Sequence, residues 1–263
     1  MAPNPVPTRD SGPLLLVGAG WFDANWMFVS GYLCPILLCL LLVLFRGSLR
    51  EKFQNPLLIG WLTVPVYLLH QVEEHAYDIR GWRYAFVPHF NHGTGSYLFP
   101  ICDDISQLTC PLDVRRTTHI NVLLVWVGFS LAMVAAHVWG GRYRLAGLFN
   151  WGTATVNGLG GHLVPAMLAL QYNPGSLQSL FMVPMGILVM TRSGLRFFAL
   201  CMLCGALAHM IMFGVGINLV LRAGLPAPVE AVFVLFSSTV MPLAFASCAP
   251  VDPERAKWYS TSE

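Results

Sequence analysis

Long apolar runs free of lysine and arginine, most of them closed by a short polar turn, recur along this chain from residue 21 onward. Hydrocarbon offers the backbone no water, so such runs must satisfy their own hydrogen bonds as helices or as a closed barrel. Runs of about 20 residues suit helices, whereas membrane strands need only about 10. The runs fall at 21–45, 57–75, 119–139, 145–170, 177–190, 197–221 and 229–246. They predict an all-α polytopic membrane bundle of about seven transmembrane helices. Turn signals separate them at Asn55-Pro56, Gly140-Gly141, Tyr172-Asn173-Pro174-Gly175, Ser193-Gly194 and Gly224-Leu225-Pro226. Charged residues make up 11% of the chain, against about 25% in soluble domains. A lipid bilayer is therefore the expected surrounding.

The expected organisation is a short polar tail at 1–20, a single seven-helix domain at 21–246 and a C-terminal tail at 247–263. Met1–Pro13 has neither a basic segment nor a cleavage pattern, so the first run is expected to serve as the targeting signal. Arg46, Arg50, Lys52, Arg142, Arg144, Arg192, Arg196, Arg255 and Lys257 share one side of the predicted bundle. Arg9 and Arg222 lie on the other, with Arg80, Arg83, Arg115 and Arg116 in a long loop at 76–118. Positive charge collects in short cytoplasmic loops. The N-terminus is thus placed outside or in a lumen, and the C-terminus in the cytoplasm. In a eukaryote the membrane would be the endoplasmic reticulum. A net charge of +2, spread over short loops, predicts no nucleic-acid surface. Cys102 and Cys110 in the outer loop could pair; Cys201 and Cys204, inside a run, read as packing residues.

Ionisable side chains at membrane depth are costly and mark function. The densest group is His70-Gln71-Val72-Glu73-Glu74-His75, which ends the second run. His70, Glu73 and Glu74 share a helical face that Tyr67 extends, and His75 rotates further toward the loop. The alternating topology puts Asp23, Asn121, Asn157, His162 and His209 in the same outer half. Such convergence predicts a shared cavity. One chemistry is a metal site: His70, Glu73, Glu74 and His162 are possible ligands for a divalent ion such as zinc or iron. Another is an acid–base pair, in which two carboxylates in an apolar pocket repel and one keeps its proton. The bland alternative is a helix end paired with Arg80 or Arg83. Asp103-Asp104 and the His89-Phe90-Asn91-His92 string read as loop.

His70-x-x-Glu73-Glu74 at the end of an apolar helix resembles the motif that names the HXXEE-domain membrane proteins. Asn157-Gly-Leu-Gly-Gly-His162, then Tyr172-Asn173-Pro174-Gly175, then an apolar helix with Pro184, extend the likeness, as does Asn121. Together they cover roughly residues 57–190. The resemblance implies His70, Glu73, Glu74, Asn121, Asn157 and His162 as site residues, and implies no reaction.

The expected function is an intramembrane enzyme acting on a lipophilic small molecule, by acid–base isomerisation or cyclisation of a terpenoid or polyketide type. Glu73 or Glu74 would donate the proton, His70 and His162 relay it, and Asn157 orient the substrate. Asn121, Asp23, His209 and Tyr67 would line the binding site. No cofactor is required in that version. In the metal version the same residues hold zinc or iron for hydrolysis or oxidation. In a third, the carboxylates serve a proton-coupled transporter or receptor-like protein.

Overall fold

The computed structural model describes residues 7–92, 110–226 and 228–249. Among them the fold is all-helical, with one isolated antiparallel bridge between Tyr77 and Arg83. Seven long helices follow one another: α1 (Trp21–Leu44), α2 (56–76), α4 (Val114–Trp139), α5 (146–169), α6 (Ser176–Thr191), α7 (Leu195–Ala223) and α8 (Pro228–Cys248). The short α3 (Phe86–His92) lies between α2 and α4. It falls inside the stretch expected to be loop. Cys102 and Asp103-Asp104 lie outside the described residues; Cys110 is buried and disulfide-bonded.

Four helices, α1, α4, α7 and α8, are long and apolar enough to cross a membrane, and α6 is apolar but shorter. The expectation of seven crossings is met by that criterion at these four. The reason is compositional. α2 and α5 carry the imidazoles, carboxylates, amides and glycines that make up the polar site, which lowers their hydropathy. α6 has only 16 residues.

Helix α5 is the centre of the bundle, packed by α2, α6, α7 and α8. Residues 146–155 are all buried. Such burial needs close backbones, and glycine supplies them. A Cβ on Gly152 would overlap the Cys201 carbonyl of α7, and one on Gly205 the Gly152 carbonyl in return. Gly147 meets Gly60 of α2 in the same way. The Trp151 indole donates to the Ile59 carbonyl of α2 at 2.8 Å.

Toward the other end the same helices change character. Each of α2, α4, α5, α7 and α8 widens into π-type turns, at Val72–Ala76, Val122–Phe129, Asn157–Leu163, Met210–Ile217 and Phe236–Val240. Insertions of this kind re-aim side chains and recur at functional sites. Here four of the five line one cavity.

Candidate functional site

The widening of α5 decides how the site is built. In an α-helix, residues five apart project about 140° from each other; a π turn brings them toward one face. Asn157 and His162 are five apart, and Asn157 Nδ2 lies 3.3 Å from His162 Nε2. Of the glycines in Asn157-Gly-Leu-Gly-Gly-His162, Gly158 admits the Val183 side chain of α6 and Gly160 has open space where a Cβ would be. In α2 the widening acts on the motif itself. His75, expected to rotate toward the loop, faces inward, with Nε2 3.4 Å from Glu74 Oε2.

Three imidazoles converge on the one carboxylate of Glu74. His162 Nε2 lies 2.8 Å and His70 Nε2 3.3 Å from Oε1. The two Nε2 atoms are 3.2 Å apart, and Asn157 Nδ2 is 3.2 Å from that of His70. His70 and His162 are fully buried and Glu74 nearly so. Tyr67 meets the His70 ring edge-on.

Backbone carbonyls fix which nitrogens carry protons, because a carbonyl only accepts. His162 Nδ1 lies 2.7 Å from the Pro174 carbonyl, so Nδ1 donates. In the neutral ring Nε2 then holds a lone pair, aimed at Glu74. Asn121 Nδ2 donates to the Thr117 carbonyl at 2.9 Å, and Gln71 Nε2 donates to Asn121 Oδ1 at 3.2 Å. These bonds orient the Asn121 amide with its N–H toward His75 Nε2, 3.4 Å away. With Nε2 accepting from Asn121, His75 has no proton there to give Glu74. Acceptors facing acceptors in a buried site need a positive charge between them, a proton or a cation.

The two adjacent carboxylates have separate roles. Glu73 was expected at the site, but it points at the start of α6. Its Oε1 accepts from the Tyr172 hydroxyl at 2.7 Å and the Leu177 amide at 3.0 Å, and its Oε2 from the Gln178 amide at 2.6 Å. Gly175 at the N-cap has no side chain to cap the helix. A carboxylate from α2 fills that place, where orphan amides and the helix dipole favour negative charge. Burial, and next the Glu73 carboxylate, raise the Tyr172 phenol above its ordinary range, so it remains a donor.

The Tyr172–Gly175 turn supports the site from behind. Asn173 Oδ1 is 3.2 Å from His162 Nδ1. Gly175 adopts φ +94°, and a Cβ there would lie 2.6 Å from His162 Nδ1 and 3.0 Å from His70 Cε1. Only glycine satisfies both the backbone and the space. Asn173, Pro174, Gly175 and His75 are site residues that sequence reasoning did not assign. The turn signal and the family resemblance marked the first three, without a role at the site.

A sequence profile of a family described as "Protein of unknown function with HXXEE motif" matches residues 61–189. That stretch is an HXXEE domain. It begins in α2, ends in α6, and contains Glu74, the three imidazoles, Asn121, Asn157 and the 172–175 turn. No curated protein and no solved structure matches the chain.

Beside this centre is a cavity of about 330 Å³. Glu74, His75, Asn121 and Asn157 of the HXXEE domain form its polar end. Tyr67, Ile120, Leu124, Phe86 and Phe90 make much of the remaining wall apolar. Phe86 covers the centre, with its ring 5.0 Å from that of His162 and 5.7 Å from that of His75. The far wall is α7, beyond the matched domain, with His209, Met210, Phe213 and Gly214. His209 Nδ1 is 2.8 Å from the Gly205 carbonyl, and the ring stacks on Phe213. His209 and Tyr67 thus line the cavity. Asp23 does not: it is half-buried in the first turn of α1 and is not among the described residues that line the cavity. Its position near the first turn placed it at the right depth but on the wrong face.

Proposed function

We infer that the protein is an intramembrane enzyme that moves protons on a lipophilic small molecule, an isomerase or cyclase of terpenoid- or polyketide-like substrates. The observation that carries this is the convergence of three imidazoles on Glu74 at the polar end of an otherwise apolar cavity. An apolar skeleton fits the wall, and one carbonyl, epoxide or alkene meets the polar end. In this reading Glu74, holding the proton that its facing lone pairs require, delivers it to the substrate. His75 Nε2 withdraws a proton from a neighbouring carbon. The product keeps the substrate's formula, and the proton returns across the His75–Glu74 contact. His70 and His162 stand behind Glu74 as relay, and Asn157 and Asn121 orient the polar group. Positioned acid–base groups contribute about 10²–10⁴-fold each.

In the same reading all seven long helices cross the bilayer, with the N-terminus outside or lumenal and the C-terminal tail cytoplasmic. In a eukaryotic host the membrane is that of the endoplasmic reticulum. The arginine distribution and the four long apolar helices support this. The substrate then reaches the cavity in the outer half.

The test uses membranes containing the full-length protein in D₂O, with a panel of lipophilic ketones, epoxides and polyenes. The expected product is an isomer of unchanged skeleton formula carrying deuterium. Glu74→Gln and His75→Phe should each lower its formation about 10²–10⁴-fold. Isomer formation that survives Glu74→Gln ends this reading.

A further inference from the structure

We propose that His70 Nε2, His162 Nε2 and Glu74 Oε1 hold a divalent first-row transition ion of the zinc class. The first observation is the size of the donor triangle. Its sides are 2.8, 3.2 and 3.3 Å. An ion bound tetrahedrally at about 2.0–2.1 Å from nitrogen and oxygen has ligand–ligand edges of about 3.3 Å. The three atoms are thus spaced as three corners of such a site. They come from two helices, α2 and α5, and are all buried, and they are the described group in this chain that can gather around one ion.

The second observation is the outer ring of contacts. A metal-binding imidazole hands its other N–H to a carbonyl or carboxylate, which fixes the tautomer. His162 does so with the Pro174 carbonyl, at 2.7 Å. The free carboxylate oxygen of Glu74 faces His75 at 3.4 Å, and a cation on Oε1 supplies the positive charge that the opposed lone pairs require. Two imidazoles and one carboxylate with an open fourth corner are the donor set of catalytic rather than structural zinc. Asn157, which lines the cavity, lies beside that triangle.

This deepens the enzymatic reading and rests on the same centre. With the ion bound, Glu74 would stay ionised as a ligand instead of delivering the proton, the ion would polarise the substrate's oxygen, and His75, which faces the cavity, would both withdraw the proton and return it to another carbon. Ligand softness selects zinc or iron(II) over magnesium or calcium.

The full-length protein, purified in detergent without chelator or polyhistidine tag, is analysed for metal by mass spectrometry. It should carry roughly one equivalent of zinc or iron per chain. His70→Ala with His162→Ala should retain less than roughly a tenth of it, and Asn173→Ala should weaken affinity roughly tenfold through His162. Because the double variant can fail to fold, a second measurement stands beside it. Apo-protein loaded with cobalt(II) should show intense tetrahedral d–d bands. His162→Cys should keep the ion and add a thiolate-to-cobalt charge-transfer band. Metal-free protein after loading with zinc, iron(II) and cobalt, or equal metal in wild type and the double variant, overturns the proposal. In that case Glu74 as a proton donor still stands. A full metal complement without any isomerase activity instead overturns the reaction and leaves the ion.

Discussion

The two halves of α5 obey different rules. Residues 146–156 are α-helical and locked between neighbours, with Gly147 and Gly152 in backbone contact with α2 and α7. Residues 157–163 are wound wider, and there Gly160 meets nothing within 4 Å of an added Cβ. The same residue type thus serves opposite ends. In the first half, Gly147 and Gly152 let backbones touch; in the second, Gly158 admits the Val183 side chain and Gly160 opens on empty space. The 146–156 half determines the bundle, and the 157–163 half determines the cavity.

Substitution separates the two most sharply. At Gly152 the obstructing atom is a backbone carbonyl, which cannot yield without parting α5 from α7. Gly152→Ala should cost about 3 kcal/mol, seen as a lower midpoint of thermal unfolding in detergent. Gly160→Ala enters open space, where alanine's better helix propensity should leave stability unchanged or raise it by up to about 1 kcal/mol. Equal midpoints for the two variants would remove the distinction.

A smaller effect divides the adjacent carboxylates. Glu73 accepts three hydrogen bonds at the start of α6, two of them from backbone amides. Hydrogen bonds to a charged group contribute about 1.5–3 kcal/mol each. Glu73→Gln places an amide donor against the Gln178 N–H and should cost about 2–3 kcal/mol, and Tyr172→Phe about 1–2 kcal/mol. Glu74→Gln should instead leave metal-free protein near wild-type stability, since a Gln N–H can answer the lone pair of His162. Its cost falls on cation binding and turnover. The reverse ordering of the two midpoints would mean that the roles of Glu73 and Glu74 are exchanged.

Much of this was legible in the sequence, for a physical reason. Bilayer spans leave long apolar runs, and polar groups within them stand out. His70, Glu74, Asn157 and His162 were found that way, because depth can be counted along a helix. Which side of the helix they face cannot be counted when the winding changes. Periodicity at 3.6 residues put Glu73 with Glu74 and sent His75 outward; the π turn at Val72–Ala76 exchanges them. Asp23 failed for the related reason that depth says nothing of azimuth. The 172–175 turn was legible as a turn, but its service to His162 is a tertiary fact. Helix α3 was missed because seven residues between polar stretches carry too little pattern.

That short helix gives the smallest expected effect, and it concerns the cover rather than the centre. Asn91 ties α3 to Leu112 by two hydrogen bonds, at 2.7 and 3.0 Å, and Phe86 and Phe90 close the cavity. His89 holds the other side, with Nδ1 2.7 Å from the Ala85 carbonyl and Nε2 3.3 Å from Arg80 Nη2. Burial, with the Arg80 charge beside it, lowers the His89 pKa below its ordinary value, and burial lowers that of His92. The open form binds a proton more readily than the docked one, so docking is strongest above the ordinary histidine pKa of about 6.5. It should weaken as the pH falls through and below that value. Hydrogen exchange of residues 86–92, corrected for intrinsic rates, should therefore quicken between pH 7.5 and pH 5.5, while that of 146–156 stays slow. His89→Gln, neutral throughout, should remove much of the change. Exchange in α3 that is independent of pH, or that slows on acidification, would place the cover's stability in its phenylalanines alone.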